Sequence, residues 1–312
     1  MKCIICGQGR FKIVVKKLRY DIKREVLCCQ NCGYVFLKPK QSTLKYDDSS
    51  YRKMYGPNLV KETGAKERFD TYFPYQGEII KQIKHILKPV TSILDIGCST
   101  GFFLSALKGK VKTRVGVELN TSDVAFIKKN LDFKVYSKPI NDLEIIEGPF
   151  DIITSLQVLE HVDNPVEFLK AVGKNLKSNG WLYLELPNVD DVLLSVFHEP
   201  AYKKFYYREP HVSYFSAKTL RRVLDQAGFK GTIKTVQRYN FINHMNWLFA
   251  HKPQENFALG NSSPSLVNDD AVKLEIKKQF NDFIARTDQE YKRLLEKNGL
   301  GESLCFIGKK IK

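Results

Sequence analysis

Residues 93–103 read Ile93-Leu94-Asp95-Ile96-Gly97-Cys98-Ser99-Thr100-Gly101-Phe102-Phe103, ILDIGCSTGFF: apolar residues around one acid, two glycines four apart, then two aromatics. The apolar start is the pattern of a strand buried on both faces, and the glycines mark a tight turn into a helix. Outward from this stretch the pattern repeats. Strands are expected at TSILDI (91–96), TRVGVE (113–118), FKVY (133–136), FDIITS (150–155) and WLYLEL (181–186). Helices fit between them at about 101–109, 121–130 and 164–177, the last opened by Asn164-Pro165 and closed near Gly180. This alternation predicts an α/β fold, a Rossmann-like doubly wound sheet covered on both faces.

A dinucleotide-binding turn uses three glycines to bring backbone N–H groups up to a pyrophosphate, and a carboxylate aimed into that space opposes binding. Here the third glycine is missing and Asp95 is present. Asp95 suits a cation instead, such as the ammonium of the methionine part of S-adenosylmethionine, with Gly97 and Gly101 permitting close backbone approach. The second strand ends at Glu118, seventeen residues after Gly101. An acid there can accept both ribose hydroxyls of an adenosine.

FDIITSLQVLEHVDNPVEFLKAV (150–172) followed by GWLYLELPN (180–188) resembles the class I S-adenosylmethionine-dependent methyltransferases of the type 11/12 group, over roughly residues 91–230. The resemblance implies that Asp95, Gly97, Ser99 and Gly101 surround the methionine moiety, Glu118 holds the ribose and Leu119 flanks the adenine. Ile140, Asn141 and Asp142 fall where the family contacts the base, and Leu156 and Gln157 line the site after the fourth strand. Ser99 stands where the family usually has glycine.

Five of the seven cysteines lie in the first 32 residues. In a chain expected in the cytoplasm this argues for metal over disulfides. Cys3-x2-Cys6 and Cys29-x2-Cys32, twenty-two residues apart and each followed by a glycine, Gly7 or Gly33, make two knuckles for tetrahedral zinc. Four sulfurs leave no open position, so the expected role is structural. Cys28 competes with Cys29, but only Cys29 gives the two-residue spacing. The unit also resembles the zinc-binding N-terminal domain of sugar C-methyltransferases acting on nucleotide-linked deoxysugars.

Proton transfer to or from an acceptor calls for a base, and histidine titrates nearest neutrality. His211 follows the fifth strand, where substrate loops cross the carboxyl ends of such a sheet. The sugar C-methyltransferases carry Tyr-His-Glu-His before a similar SYFS, the last histidine being their proposed base. This sequence has Arg208-Glu209-Pro210-His211 there, with Tyr207 adjacent. His161, in LEHV, either faces the methyl group or fixes the loop. Phe205, Tyr206, Tyr207 and Arg208 are expected to stack on a sugar or base and grip phosphate. His85, His244 and His251 read as structural or solvent-facing, and His198 is open.

The formal charge of +16, about +14 once four thiolates and one zinc ion are counted, points to an anionic partner without choosing among them. No apolar run approaches the ~18–20 residues of a membrane span, and MKCIICGQGR carries cysteines and charges where a secretory signal has an apolar core. The chain divides into a zinc-binding unit (1–40), a connector with capping helices (41–90), the Rossmann-like domain (91–240) with a substrate loop at 188–215, and a helical C-terminal insertion with a last strand (241–312). The capping helix places Ile79, Ile80, Ile83, Ile86 and Leu87 on one face. A long helix at about 269–297 puts Ile276, Phe280, Phe283, Ile284, Thr287, Tyr291, Leu294 and Leu295 on one stripe, and ESLCFIGKKI is expected to close the sheet.

The expected function is methyl transfer from S-adenosylmethionine to a sugar, nucleotide-linked or in a glycan, with a histidine taking the proton. RNA or protein methylation is the alternative enzyme reading. TSLQ (154–157) lacks the Asp/Asn-Pro-Pro-aromatic motif of amino-nitrogen methylation. A non-catalytic zinc-ribbon and Rossmann binding protein is the third. The sequence leaves the acceptor atom and the oligomeric state open.

Overall fold

The computed structural model describes residues 1–39 and 64–311, so the tyrosine-rich connector expected at 41–58 lies outside the described residues. Strands β1 (Phe11–Val15), β2 (Glu25–Cys29) and β3 (Val35–Lys38) form an antiparallel sheet at the N-terminus. The segment EVLCC, with its β-branched and apolar residues, supplies β2. Helices α1 (Ala65–Tyr72) and α2 (Gln76–Ile83) follow. Ile83 and Ile86 are buried, and Ile79, Ile80 and Leu87 pack beside them, as the helical period requires.

The central domain runs β4 (Ser92–Ile96), α3 (Phe102–Ala106), β5 (Thr113–Val117), α4 (Thr121–Asn130), β6 (Lys134–Tyr136), β7 (Phe150–Leu156), α5 (Pro165–Lys174) and β8 (Leu176–Pro187). Then come α6 (Val192–Ser195), α7 (Pro200–Tyr206), β9 (Ser213–Tyr214), α8 (Ala217–Gln226) and β10 (Phe229–Val236). The chain ends with α9 (Phe241–Ala250), α10 (Phe257–Asn261), α11 (Leu274–Lys297) and β11 (Ser303–Lys310). One seven-stranded sheet has the order β10-β11-β8-β7-β4-β5-β6. Strands β4 to β8 pair in parallel, and β11 inserts antiparallel between β8 and β10.

Side chains alternate across this sheet with the two-residue period of a strand. Leu94, Ile153, Leu184 and Phe306 face α5 and α8. Ile93, Ile152, Tyr183 and Cys305 face α2, α3 and α4. The doubly wound arrangement expected from the sequence is therefore present. Chain direction across the sheet reverses at β4, whose neighbours are β5 on one side and β7 on the other, and a crevice at such a reversal is where ligands of open α/β sheets bind.

Three boundaries differ from expectation. The helix expected to 177 ends at Lys174, and Leu176–Gly180 is already strand, because Leu176 pairs with Phe150 before the register shift at Ile152. Helix α11 begins at Leu274, not near 269. The segment LGNSSPS (259–265), whose Gly, Ser and Pro content predicts a loop, gives its first three residues, Leu259 to Asn261, to α10, capped by the Asn256 side chain. Among the described residues no helix is long and apolar enough to cross a membrane.

Candidate active site

The turn after β4 is built from backbone that only small or short polar residues adopt readily. Gly97, Ser99 and Gly101 all have positive φ, at 78°, 50° and 81°. A Cβ on Gly97 would lie 2.3 Å from Val158 Cγ2, and one on Gly101 would lie 2.6 Å from Phe133 Cζ. These glycines let the turn nest against the loop after β7 and the residues preceding β6. Asp95 is buried at the end of β4 and accepts a hydrogen bond from Thr154 Oγ1 at 2.7 Å. Burial lifts its carboxyl to about 7; the Thr154 hydroxyl opposes this and the Glu118 charge adds to it.

Glu118 follows β5 directly beside the turn. Its Oε2 accepts the Ser99 N–H, and its Oε1 accepts the N–H groups of Leu119 and Asn120, each at 2.8 Å. The carboxylate thus ties the glycine turn to the start of α4, which Asn120 caps by accepting from the Asp123 N–H at 3.1 Å. Leu119 is half-buried at the same edge. Asp123 is in turn paired with buried Arg68 from α1, so a helix outside the expected domain boundary braces this corner. Sequence reasoning missed Arg68, since no local pattern marks a partner 55 residues away.

Leu156 ends β7, and Gln157 takes a positive φ of 58° with its N–H on the Glu185 carbonyl. That bend turns the chain into Leu159–His161, where Glu160 is fully buried. Neither Glu160 carboxylate oxygen has a hydrogen-bond partner among the described residues, and burial raises this carboxyl to about 8. His161 Nε2 and His211 Nε2 lie 3.8 and 4.0 Å from Glu160 Oε1, and the two imidazoles meet edge to face with centroids 5.0 Å apart. The structure therefore brings together two histidines separated by fifty residues of chain.

Their protonation follows from their partners. His161 Nδ1 lies 2.8 Å from the Pro210 carbonyl, which can only accept, so Nδ1 carries the proton and Nε2 is the basic nitrogen of the neutral ring. His211 is the reverse: Arg208 donates to its Nε2 from Nε at 2.9 Å and from Nη2 at 2.7 Å. Its Nδ1 is buried without a partner among the described residues. Burial, followed by the charges of Arg208, His161 and Arg19, holds His211 well below the ordinary histidine range. His211 is neutral, and its lone pair is engaged by Arg208. A metal ion held by Glu160, His161 and His211 would compete with that guanidinium for the same nitrogen.

Several expected site residues are placed otherwise. Tyr207 and Tyr206 are buried in an aromatic cluster with Tyr214, Leu37 and Val212, and burial pushes the Tyr207 phenol up. Phe205 packs on Trp247 and under the Arg19 guanidinium, 3.6 Å from its carbon. The N-terminal sheet covers the two tyrosines, and Trp247 and Arg19 occupy the two sides of the half-buried Phe205 ring, so these aromatics pack inward and not on a sugar. Asn141 is exposed and lines a surface groove of about 450 Å³ with Ala171, Lys174 and Asn175; no hydrogen bond among the described residues joins it to the glycine turn. His244 is structural, bonded to Tyr291 and Gln237 and lowered to about 4 chiefly by burial. His251 reaches Glu199, and His198 the Leu194 carbonyl.

The cysteines converge as their spacing requires. Cys3 and Cys32 Sγ atoms are 3.6 Å apart, as are those of Cys6 and Cys29, and all four lie within 4.8 Å of one another. Tetrahedral zinc with bonds of ~2.3 Å needs sulfurs ~3.8 Å apart, so the set fits the ion. Gly7 and Gly33 turn each knuckle at positive φ. Cys28 points to the other side of β2, into the aromatic cluster.

Residues 67–233 match the family described as methyltransferase domain, which is more than half of the chain. The chain belongs to the methyltransferase domain family. The methyltransferase domain is of the class I, S-adenosylmethionine-dependent kind, with the seven-stranded sheet described above. A solved S-adenosylmethionine-dependent methyltransferase from Archaeoglobus fulgidus superposes with a TM-score of 0.51 at 19% identity, covering 78% of this chain and 97% of that one. Among curated relatives, ubiquinone biosynthesis O-methyltransferase of Thiobacillus denitrificans is 25% identical over 47% of this chain and 68% of its own length. The Candida albicans mitochondrial enzyme of that name is 28% identical, and the chain spans 46% of its length. A tRNA U34 carboxymethyltransferase from Campylobacter fetus is 22% identical over 75% of this chain and 80% of its own.

Proposed function

We propose that this methyltransferase methylates a hydroxyl of a sugar, carried on a nucleotide or in a glycan, with a histidine beside the donor taking the proton. Asp95 would hold the ammonium of S-adenosylmethionine, Gly97, Ser99 and Gly101 would cradle the methionine moiety, and Glu118 would accept the ribose hydroxyls. Leu119 would lie against the adenine, while Leu156 and Gln157 would border the methyl group. When bound, S-adenosylmethionine supplies an electrophilic methyl on a sulfonium, which a positioned nucleophile attacks in line.

The observation that carries the reading is the paired imidazoles past the end of β7. His161, with its tautomer set by Pro210, offers Nε2 as base, and Glu160, kept protonated near neutrality by burial, adds no negative charge that would hold the proton elsewhere. His211 becomes a base only when Arg208 leaves it, which assigns His161 the resting role. Oxygen as the acceptor atom is supported by the O-methyltransferase names of the relatives. A sugar is supported by the resemblance of the cysteine unit and of the SYFS segment to sugar methyltransferases. Those two segments touch: β3 pairs with β9. The four cysteines would hold structural zinc, and the charge of +16 would attract a diphosphate or an anionic glycan.

The test has two parts. S-adenosylhomocysteine should raise the melting temperature and NAD should not, and Glu118→Ala should lose that shift. Labelled methyl transfer to a panel of nucleotide sugars should then fall about 10²–10⁴-fold in His161→Ala with the thermal shift retained. A tRNA acceptor is the second reading, favoured by the long alignment to the carboxymethyltransferase. Label entering RNA with salt-sensitive binding, and no sugar accepting it, overturns the first in favour of the second.

A further inference from the structure

Arg24 pairs with Glu209, and Arg238 grips both carboxylate oxygens of Glu185. Arg208 differs from both. Its Nε and Nη2 donate to one neutral nitrogen, His211 Nε2, at 2.9 and 2.7 Å. Among the described residues no carboxylate lies within ion-pair distance of Arg208, and Glu160, 4.0 Å from the same His211 nitrogen, is kept protonated near neutrality by burial. A neutral imidazole nitrogen has a single lone pair, which two N–H groups here divide. An oxyanion offers each donor its own, in the two-point geometry that suits a guanidinium, and adds the attraction of opposite charges. An anion that reaches Arg208 therefore takes it from His211.

Only the side chain of Arg208 is free to follow. Its backbone N–H donates to the Tyr214 hydroxyl at 3.1 Å, and its carbonyl accepts from that hydroxyl at 3.0 Å and from the His211 N–H at 3.1 Å. Arg208 is half-buried, whereas the His211 ring is buried against His161 and Tyr214. The exchange thus moves the arginine and leaves the imidazole in place. It also cancels the charge that, after burial, does most to keep His211 unprotonated.

We propose that Arg208 is a latch on His211 and, once released, the oxyanion subsite for the acceptor. A phosphate or carboxylate of the acceptor draws the guanidinium away and bares His211 Nε2 beside His161. The latch rests on the reading that the acceptor hydroxyl meets the paired imidazoles. It narrows the acceptor to one whose anionic group lies within a sugar ring of the methylated hydroxyl, either a phosphate at the anomeric carbon or the carboxylate of a uronic acid. Without such a group His211 stays blocked and His161 acts alone.

Nitrogen-15 resonances of labelled histidine read the contact without any methyl acceptor, with His211 assigned by its absence in His211→Gln. A ring nitrogen that gives up a hydrogen bond moves downfield. Titration with inorganic phosphate or with glucuronate should move His211 Nε2 downfield to its position in Arg208→Ala, and glucose should not move it. A response to phosphate alone assigns the subsite to a sugar phosphate, and a response to glucuronate alone assigns it to a uronate. In the transfer assay, Arg208→Ala should lower kcat/KM for an anionic acceptor roughly 10–10²-fold and spare the neutral methyl glycoside of the same sugar, with the S-adenosylhomocysteine thermal shift retained. No movement with either anion overturns the latch. So does a resting His211 signal that Arg208→Ala leaves unchanged, or an effect of Arg208→Ala that is the same for both acceptors. If no sugar takes the label while the anions still move His211, the sugar reading fails and the latch stands.

Discussion

At the scale of the residue, Asp95 shows how burial sets chemistry. Its carboxyl sits near 7 because desolvation outweighs the Thr154 hydrogen bond, and the Glu118 charge adds to the rise. An ammonium placed against it favours the ionised form, so binding expels a proton wherever Asp95 is still protonated. Below pH ~7 the association constant for S-adenosylhomocysteine should therefore climb with pH by up to about tenfold per unit, then level off. Calorimetry in buffers of different ionisation enthalpy would count the proton, and an affinity flat below neutrality would remove Asp95 from the donor site. Asp95 and Glu118 were legible because residue type and spacing alone carry their meaning. Arg208 on His211 was not, nor the bidentate pairing of Arg238 with Glu185 at 2.5 and 2.7 Å, because such partners are chosen by loops meeting in space. The same limit misread Tyr207: an aromatic run looks alike in sequence whether it faces a ligand or a neighbouring sheet.

At the scale of the element, the glycines on either side of α3 separate two costs that a sequence cannot. Gly101 and Gly109 both have positive φ, 81° and 74°, yet a Cβ on Gly109 meets nothing within 4 Å, whereas one on Gly101 runs into Phe133 and Leu131. Urea denaturation of Gly109→Ala should show the conformational penalty alone, roughly 1–3 kcal/mol. Gly101→Ala should lose more, and equal losses would mean that Phe133 and Leu131 move aside freely. The parallel strands were legible through their unbroken apolar runs, and α4 and α5 through the helical stretches between them, α5 also through its Asn164-Pro165 start. The two residues of β9 and the four of α6 are too short to leave a period at all. In α11 the period was legible, but not that its stripe divides into a buried line and an uncovered one. Periodicity reports that a face is apolar, not what lies against it.

At the scale of the whole molecule, the N-terminal unit and the loop carrying His211 form one body. Besides the β3–β9 pairing, the Tyr34 hydroxyl bonds Ser213 at 2.6 Å, Leu37 donates to the Val212 carbonyl, Arg19 to that of Tyr207, and Arg24 pairs with Glu209 at 3.0 Å. With zinc proposed at the four cysteines, chelation should speed amide exchange at 207–214 while leaving 93–101 protected in the presence of S-adenosylhomocysteine. Unchanged exchange at 207–214 would mean that the loop stands without the metal. The pairing also has a consequence for biosynthesis. The sheet begun by residues 11–38 waits for a partner whose Ser213 lies 179 positions beyond Tyr34. At ~5–20 residues per second the ribosome takes on the order of ten to forty seconds to deliver it. For that interval the nascent chain exposes the free edge of β3, and zinc bound that early at the proposed four-cysteine site would guard the newborn polypeptide as well as brace the finished enzyme.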